Sequence, residues 1–125
     1  MLNYRIKIAS IALCLAIVSV GCSRFTEEEA ASISRGEEIY ITHCVSCHGP
    51  KGDGLQGAYP SLQKPQIESF HTERAVNLIL NGSGFDGGMK PIALEDQEIV
   101  DVVNYIQNEW GNEANVLASL NEIKN

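Results

Sequence analysis

One pentapeptide restricts what this chain can fold into more than any other feature: Cys44-Val45-Ser46-Cys47-His48. Two thiols three positions apart, followed at once by an imidazole, form the attachment signature of c-type haem. The thiols can add to two vinyl groups of one porphyrin, and the histidine can reach the iron from one face. The sequence therefore predicts one haem bound covalently through Cys44 and Cys47, with His48 as an axial ligand.

Other uses of a C-x-x-C pair fit this chain less well. A thioredoxin-like pair lies in a βαβ context, and no alternating strand pattern surrounds this one. A structural zinc site needs a second pair of ligands, whereas the remaining cysteines, Cys14 and Cys22, lie near the N-terminus. A disulfide between Cys44 and Cys47 would leave His48 without a role. The sequence holds no second C-x-x-C-H, so we expect one haem per chain.

The N-terminus has the pattern of a secretion signal. Arg5 and Lys7 form its positive start, and the apolar stretch over residues 8–20 is short for a membrane-spanning helix. Gly21-Cys22 is typical of a bacterial lipoprotein signal, which predicts a lipidated Cys22 at the start of the mature chain. A free thiol there would be a reactive liability. Ordinary signal cleavage and a single-pass anchor remain the alternatives.

The charge balance is acidic and restricts the partners. The chain has 9 basic and 16 acidic residues, a net charge of −7, and loss of Arg5 and Lys7 with the signal would make it more negative. This excludes nucleic acid, because phosphate binding needs a basic face. We expect a redox partner protein instead, membrane-associated and with a basic docking patch. Solubility alone is the other explanation of the acidic balance.

Composition divides the chain into three segments. Residues 1–21 are the predicted signal, residues 22–33 the lipidated cysteine with a polar tether, and residues 34–125 one domain. The tether is predicted because residues 26–31 read Thr-Glu-Glu-Glu-Ala-Ala, a polar and acidic run. A domain of this length has a modest core, to which a covalent haem would add apolar volume.

The periodicity of apolar residues predicts three helices, over Ser34–His43, Thr72–Leu80 and Glu95–Trp110. The first runs into the haem motif, and Ser34 with Glu37 has the spacing of a capping box. The third has the most regular apolar stripe in the chain.

Two stretches rich in turn-forming residues separate these helices. Residues 49–62 are long for an idle connection, and we expect them to wrap one side of the haem. Residues 81–88 contain four glycines and lead directly to Met89. The last stretch, residues 112–125, is predicted as a frayed helix.

Met89 is the best candidate for the second axial ligand. Met1 leaves with the signal, so Met89 would be the one methionine of the mature protein. A thioether ligand stabilises ferrous iron and raises the reduction potential. The alternative role for Met89 is core filling. His43 and His71 are expected at the surface, and Lys90 is a weaker candidate ligand than its neighbour.

Together these features resemble the small mono-haem class I cytochromes c, from about residue 34 to residue 111. The motifs that carry the resemblance are Gly36-x-x-x-Tyr40-x-x-x-Cys44-x-x-Cys47-His48-Gly49, Tyr59-Pro60-x-Leu62, Gly88-Met89, and Val102-Val103-Asn104-Tyr105-Ile106 before Trp110-Gly111. The resemblance implies an all-α fold with a few helices and long loops around one covalent haem. It also implies that the first and last helices cross, with Gly36 and Tyr40 near Tyr105.

The resemblance further implies details of the haem site. The carbonyl of Pro60 is expected to accept a hydrogen bond from the second ring nitrogen of His48, and Met89 is expected to bind the iron. The chain departs from the family where Lys90 directly follows the methionine, a position often held by proline. It departs again at Glu95, where Ser, Thr or Asp usually caps the helix. The candidates for the haem wall are Tyr59, Leu62, Ile79, Leu80, Phe85, Ile92 and Leu94.

The predicted function is one-electron transfer in a respiratory or dehydrogenase-linked chain, with no catalytic residues. The protein is expected outside the cytoplasm, in the periplasm or anchored to the outer face of a membrane through Cys22. Two alternatives remain, a haem peroxidase-like enzyme and a sensor of a diatomic gas. Both need the coordination position that Met89 would otherwise fill.

Overall fold

A computed structural model describes residues 24–67, 71–114 and 116–123 of the chain. Within these ranges there are four helices and no strand: α1 (Glu27–His43), α2 (Val45–His48), α3 (Thr72–Asn81) and α4 (Asp96–Ile106). The predicted all-α class is confirmed. The predicted signal and Cys22 lie outside the described residues. None of the described helices is both long and apolar enough to cross a bilayer.

Helix α1 begins at Glu27, well before the predicted start at Ser34. Its N-cap is Thr26, whose hydroxyl accepts a hydrogen bond from the backbone of Glu29 at 3.3 Å. The Glu29 carboxylate accepts in return from the backbone N–H of Thr26 at 2.8 Å. This reciprocal pair is a capping box, so the capping box predicted at Ser34 and Glu37 is wrong.

The predicted tether over residues 22–33 is therefore wrong for residues 27–33, which form the first turns of α1. Glu27, Glu28 and Glu29 occupy the first turn, where the positive end of the helix dipole favours acidic side chains. Ser32 is buried against the rest of the domain. The acidic residues thus start a helix rather than form a solvated linker.

Helices α1 and α4 cross at Gly36. A Cβ built on this glycine would lie 2.7 Å from the Cβ of Tyr105 and closer still to the backbone carbonyl of Asp101. Only a residue without a side chain permits this approach of the two backbones. The Tyr40 ring packs one turn further on, 5.5 Å from the Tyr105 ring and 5.0 Å from the Trp110 ring. The predicted meeting of the first and last helices is confirmed.

Helix α4 is the centre of the core, because every residue from Ile99 to Tyr105 is buried. Burying one Val or Ile side chain is worth about 1.5–3 kcal/mol, so this helix provides much of the hydrophobic stabilisation. Its N-cap is Glu95, whose backbone N–H donates to the Glu98 carboxylate at 2.8 Å. The Glu98 carboxylate thus completes the cap of α4, although the N-cap residue is Glu95 and not the more usual Ser, Thr or Asp.

Asp101 is a charged residue inside the contact between α1 and α4. Its carboxylate accepts from the Ser32 hydroxyl at 2.7 Å, from Arg35 Nε at 2.7 Å and from Gln97 Nε2 at 3.0 Å. Burial alone would raise the pKa of Asp101, but the hydrogen bonds from Arg35, Ser32 and Gln97 outweigh it and hold the pKa below the usual value. The carboxylate is therefore ionised and fully paired in the folded protein.

Asn104 fastens the C-terminal segment to the core. Its side-chain Nδ2 donates to Ser32 Oγ at 3.0 Å and to the Ala118 carbonyl at 3.3 Å, while its Oδ1 accepts from Ala118 N at 2.7 Å. The described residues of 112–125 form turns and segments without regular secondary structure, so the predicted frayed helix is wrong there. Hydrogen bonds from the side-chain amide of Asn104, rather than the backbone hydrogen bonds of a helix, hold this segment in place.

Candidate haem-binding site

The two thiols and the imidazole of the motif lie within a single helical turn. Cys44 is the C-cap of α1, and its backbone N–H donates to the Tyr40 carbonyl at 2.9 Å. The Cys44 carbonyl then accepts from the N–H groups of Cys47 and His48 at 3.2 and 3.0 Å, which starts α2. Cys44 is buried, Cys47 is half-buried, and both are free thiols. Burial, with a smaller effect of Cys47, raises the pKa of the Cys44 thiol to about 11.

The imidazole of His48 is oriented by Pro60. Its Nδ1 lies 3.0 Å from the Pro60 carbonyl oxygen. A carbonyl only accepts hydrogen bonds, so Nδ1 carries the hydrogen and Nε2 keeps its lone pair for a metal ion. The contact that the resemblance implied between these two residues is present.

Glycines in the following loop allow Pro60 to reach His48. A Cβ built on Gly54 would lie 2.7 Å from the carbonyl carbon and oxygen of Pro60, and Gly54 has a positive φ of 68°. Its N–H donates to the His48 carbonyl at 2.8 Å. The Gly52 carbonyl accepts from Leu62 N at 2.7 Å. The loop is therefore folded back on the motif rather than extended from it.

Asn112 also holds this loop in place, and the sequence pattern does not predict its role. It is 2% exposed. Its Nδ2 donates to the carbonyls of Leu62 and Ile106 at 2.8 and 2.7 Å, and its Oδ1 accepts from Lys64 N at 2.9 Å. The one signal in the sequence is its position directly after Gly111, a residue that commonly ends a helix.

Trp110 also contacts the loop. It was predicted as the last residue of a helix, yet its φ is 53°, in the left-handed region, where bulky residues are uncommon. A Cβ built on Gly52 would lie 3.0 Å from Cη2 of the indole and closer to two other ring carbons. The indole thus covers Gly52 on one side and packs against Tyr40 and Tyr105 on the other.

Met89 lies at the end of the second loop. Its carbonyl accepts from Ser83 N at 2.9 Å, which closes the glycine-rich turn. The side chain is partly buried and packs against the buried cluster that includes Cys44. It also lines a cavity of about 440 Å³ next to Phe85 and Lys90. Lys90 itself is exposed.

The other candidate donors lie at helix ends. His43 is the last residue of α1, and His71 is the N-cap of α3. Both are exposed, as predicted.

The residues present fit a c-type haem. Two free thiols and an imidazole with Nε2 available form the donor set that such a cofactor needs. Of the predicted wall residues, Tyr59, Leu80 and Phe85 are surface-exposed, Ile79 is buried, and Leu62, Ile92 and Leu94 pack against the core. Large apolar side chains therefore lie on both loops and on α3.

Comparison with known proteins points to one family. A family model described as cytochrome c oxidase, cbb3-type, subunit III, matches residues 31–106. Cytochrome c-552 of Thermus thermophilus is 30% identical over 90 residues, which cover 61% of this chain and 68% of that protein. Cytochrome c-550 of Bacillus subtilis is 33% identical over 75 residues, 60% of each chain.

Larger proteins match as well. The cytochrome c subunit of the quinone alcohol dehydrogenase of Gluconacetobacter polyoxogenes is 31% identical over 90 residues, 63% of this chain and 19% of that subunit. The cytochrome c subunit of gluconate 2-dehydrogenase of Pantoea cypripedii is 26% identical over 100 residues, 70% of this chain and 23% of that subunit. The chain thus spans about a fifth of the length of these subunits.

Proposed function

This chain belongs to the mono-haem class I c-type cytochromes and carries covalent haem c, and on that premise we propose that it is a one-electron carrier. When bound, the haem supplies an iron that alternates between the ferric and ferrous states. The observation that carries the proposal is the 3.0 Å contact between His48 Nδ1 and the Pro60 carbonyl, which leaves Nε2 for the iron.

Cys44 and Cys47 are the proposed attachment residues. Both thiols lie in one turn. The backbone N–H of Cys44 donates to Tyr40, and its carbonyl accepts from Cys47 and His48. Each thiol would hold the haem by adding its S–H across one vinyl group, which forms a thioether bond and needs no oxidant or reductant. The short segment then holds the porphyrin at a fixed distance from His48.

Met89 is the proposed second axial ligand. Support comes from its position after the glycine-rich loop and from its partly buried side chain, which packs against the hydrophobic core. A thioether sulfur favours ferrous iron and raises the reduction potential. With both axial positions filled by the protein in both oxidation states, little has to rearrange when the electron moves. This arrangement suits a carrier rather than an enzyme that binds substrate at the iron.

Carbon monoxide distinguishes the carrier from the peroxidase-like and gas-sensing alternatives. We expect the purified ferrous holoprotein to bind carbon monoxide slowly or not at all, because Met89 closes the distal position. A one-electron redox titration should be reversible under the same conditions. Rapid binding of carbon monoxide to the wild type would contradict the carrier proposal and favour an open iron site.

Membrane attachment through Cys22 is proposed as part of the function. Because α1 begins at Glu27, the chain from Cys22 to the helix spans at most about 18 Å when fully extended. Such a short link holds the domain near the outer face of a membrane and raises its effective concentration there. Labelling with a fatty-acid probe should mark the wild type but not Cys22→Ala. Equal labelling of the two proteins, or none of the wild type, would contradict lipidation at Cys22.

The proposed partner is a membrane-associated redox protein with a basic docking patch. The first turns of α1 and α4 are both acidic, and the chain carries a net charge of −7. Opposite charges steer association, and salt screens them. The rate of electron exchange with membrane fractions should therefore fall as ionic strength rises. A rate independent of salt would remove the basic patch from the proposal.

A further inference from the structure

The side chain and backbone of Tyr40 bond to both ends of the haem motif. Its carbonyl accepts from Cys44 N at 2.9 Å, at the start of the motif. Its hydroxyl donates to the carbonyl of Gly49 at 2.7 Å, and Gly49 directly follows His48. A phenylalanine would fill the same space but could not make the second bond.

The Tyr40 phenol is held rigidly by its surroundings. The residue is 1% exposed, and its ring packs against both Tyr105 and Trp110 at centroid distances of 5.5 and 5.0 Å. Burial raises the pKa of Tyr40, with smaller effects of neighbouring titratable groups. The hydroxyl therefore remains a hydrogen-bond donor at neutral pH.

Further hydrogen bonds lead from the Gly49 carbonyl back to His48. That carbonyl also accepts from Gly52 N at 3.2 Å. The Gly52 carbonyl accepts in turn from the Ser61 hydroxyl at 3.2 Å, and Ser61 follows Pro60, which bonds to His48 Nδ1. We name this set the hydrogen-bonded circuit; its members are Tyr40, Gly49, Gly52, Ser61, Pro60 and His48.

We propose that Tyr40 is a positioning residue for the axial histidine, with its hydroxyl fixing the bond between His48 Nδ1 and the Pro60 carbonyl. The inference rests on the proposed role of His48 as an iron ligand. A hydrogen bond at Nδ1 makes the imidazole a stronger donor, which stabilises ferric iron and lowers the reduction potential. Loosening the circuit at Tyr40 therefore raises the potential.

The test compares Tyr40→Phe with Tyr105→Phe, which removes a hydroxyl from the same aromatic group and leaves the Tyr40–Gly49 bond in place. NMR of the ferrous holoprotein measures the exchange of the His48 Nδ1 proton with solvent. We expect exchange at least about tenfold faster in Tyr40→Phe and unchanged in Tyr105→Phe. At the wild-type midpoint, the ratio of reduced to oxidised protein should rise about threefold, equivalent to roughly 28 mV at 59 mV per tenfold.

Three results would overturn the role of Tyr40. One is a Tyr40→Phe holoprotein with wild-type proton exchange and potential. The second is an equal change in both variants, since a general loosening of the aromatic packing would then explain it. The third is used if Tyr40→Phe does not mature into a holoprotein. In that case Ser61→Ala removes another hydrogen-bond donor of the circuit, and wild-type exchange of the His48 Nδ1 proton in this variant would contradict the proposal.

The wild type separates this inference from the proposed function. If His48 binds the iron, its ring protons are shifted far from their usual positions by the haem. Unshifted His48 resonances in the wild type would contradict the proposed ligation itself. Shifted resonances with no effect of the Tyr40 hydroxyl would leave the ligation intact and remove only the positioning role.

Discussion

The Cβ of Tyr105 lies so close to Gly36 that a methyl group on the glycine would be 2.7 Å from it. This contact sets how closely the backbones of α1 and α4 approach each other where the two helices cross. The same crossing holds Tyr40 against Tyr105 and Trp110, and Tyr40 borders the haem motif. The geometry of the site therefore depends on a glycine that lies two turns before the first cysteine.

Gly36→Ala should destabilise the holoprotein by about 2 kcal/mol, because the added methyl group forces the two helices apart. Denaturant unfolding followed by far-UV circular dichroism measures the change. Ser34→Ala, at an exposed position of the same helix, is the control and should stay within about 0.5 kcal/mol of the wild type. Equal stabilities of the two variants would refute the close crossing.

Asp101→Asn should change how stability depends on pH. The folded protein holds the pKa of Asp101 below its ordinary value of 3.8. The stabilisation from ionised Asp101 is therefore complete above about pH 4 and is lost as the pH falls through the folded value. At pH 7 the variant should be about 2 kcal/mol less stable than the wild type, and this difference should shrink below about pH 4.

Urea unfolding at a series of pH values from neutral to acid checks this prediction. Asp86→Asn, in the exposed second loop, is the matched control for the removal of a carboxylate. A difference between Asp101→Asn and the wild type that stays constant across the series would show that ionisation of Asp101 does not contribute.

Asn112→Ala should loosen the loop that carries Pro60. The substitution leaves the carbonyls of Leu62 and Ile106 and the N–H of Lys64 without their side-chain partner. Each of these partly buried hydrogen bonds contributes about 0.5–1.5 kcal/mol. We expect lower stability and faster hydrogen exchange at the Lys64 amide, with Asn77→Ala on the exposed face of α3 as the control. Unchanged exchange at Lys64 would contradict the role of Asn112.

Mass spectrometry after acid–acetone extraction tests covalent attachment. The wild type and Cys22→Ala should retain one haem, since Cys22 takes no part in attachment. Cys44→Ala and Cys47→Ala should each keep a single thioether and form less stable holoproteins, and the double variant should lose the haem. An apo-mass for the wild type would disprove attachment at these cysteines.

The sequence was sufficient to predict those parts of the structure that depend on local pattern. The apolar periodicity located α3 to within one residue at each end and placed the end of α4 four residues too late, at Trp110 instead of Ile106. The resemblance to the cytochromes led to the Gly36–Tyr105 contact and to the bond between His48 and Pro60. In each case a short motif in the sequence was enough to predict the contact.

Contacts between distant polar residues could not be predicted. Asp101, Asn104 and Asn112 bond to groups on other elements, and one polar residue in a sequence does not indicate where its partner lies. The early start of α1 was missed for a related reason. Acidic residues are typical of both a solvated linker and a first helical turn, and only the capping pair at Thr26 and Glu29 distinguishes them.

An optical redox titration that compares the midpoint potentials of Met89→Ala and the wild type tests the proposed function most directly. We expect the redox titration of the wild type to be reversible and to involve one electron. Its ferric spectrum should show a weak sulfur-to-iron band near the red end. Met89→Ala should lack that band, and its potential should fall by more than about 60 mV, or roughly 1.4 kcal/mol for one electron. Lys90→Ala, the neighbouring control, should keep both properties. A Met89→Ala protein with the wild-type band and potential would contradict the His48–Met89 carrier.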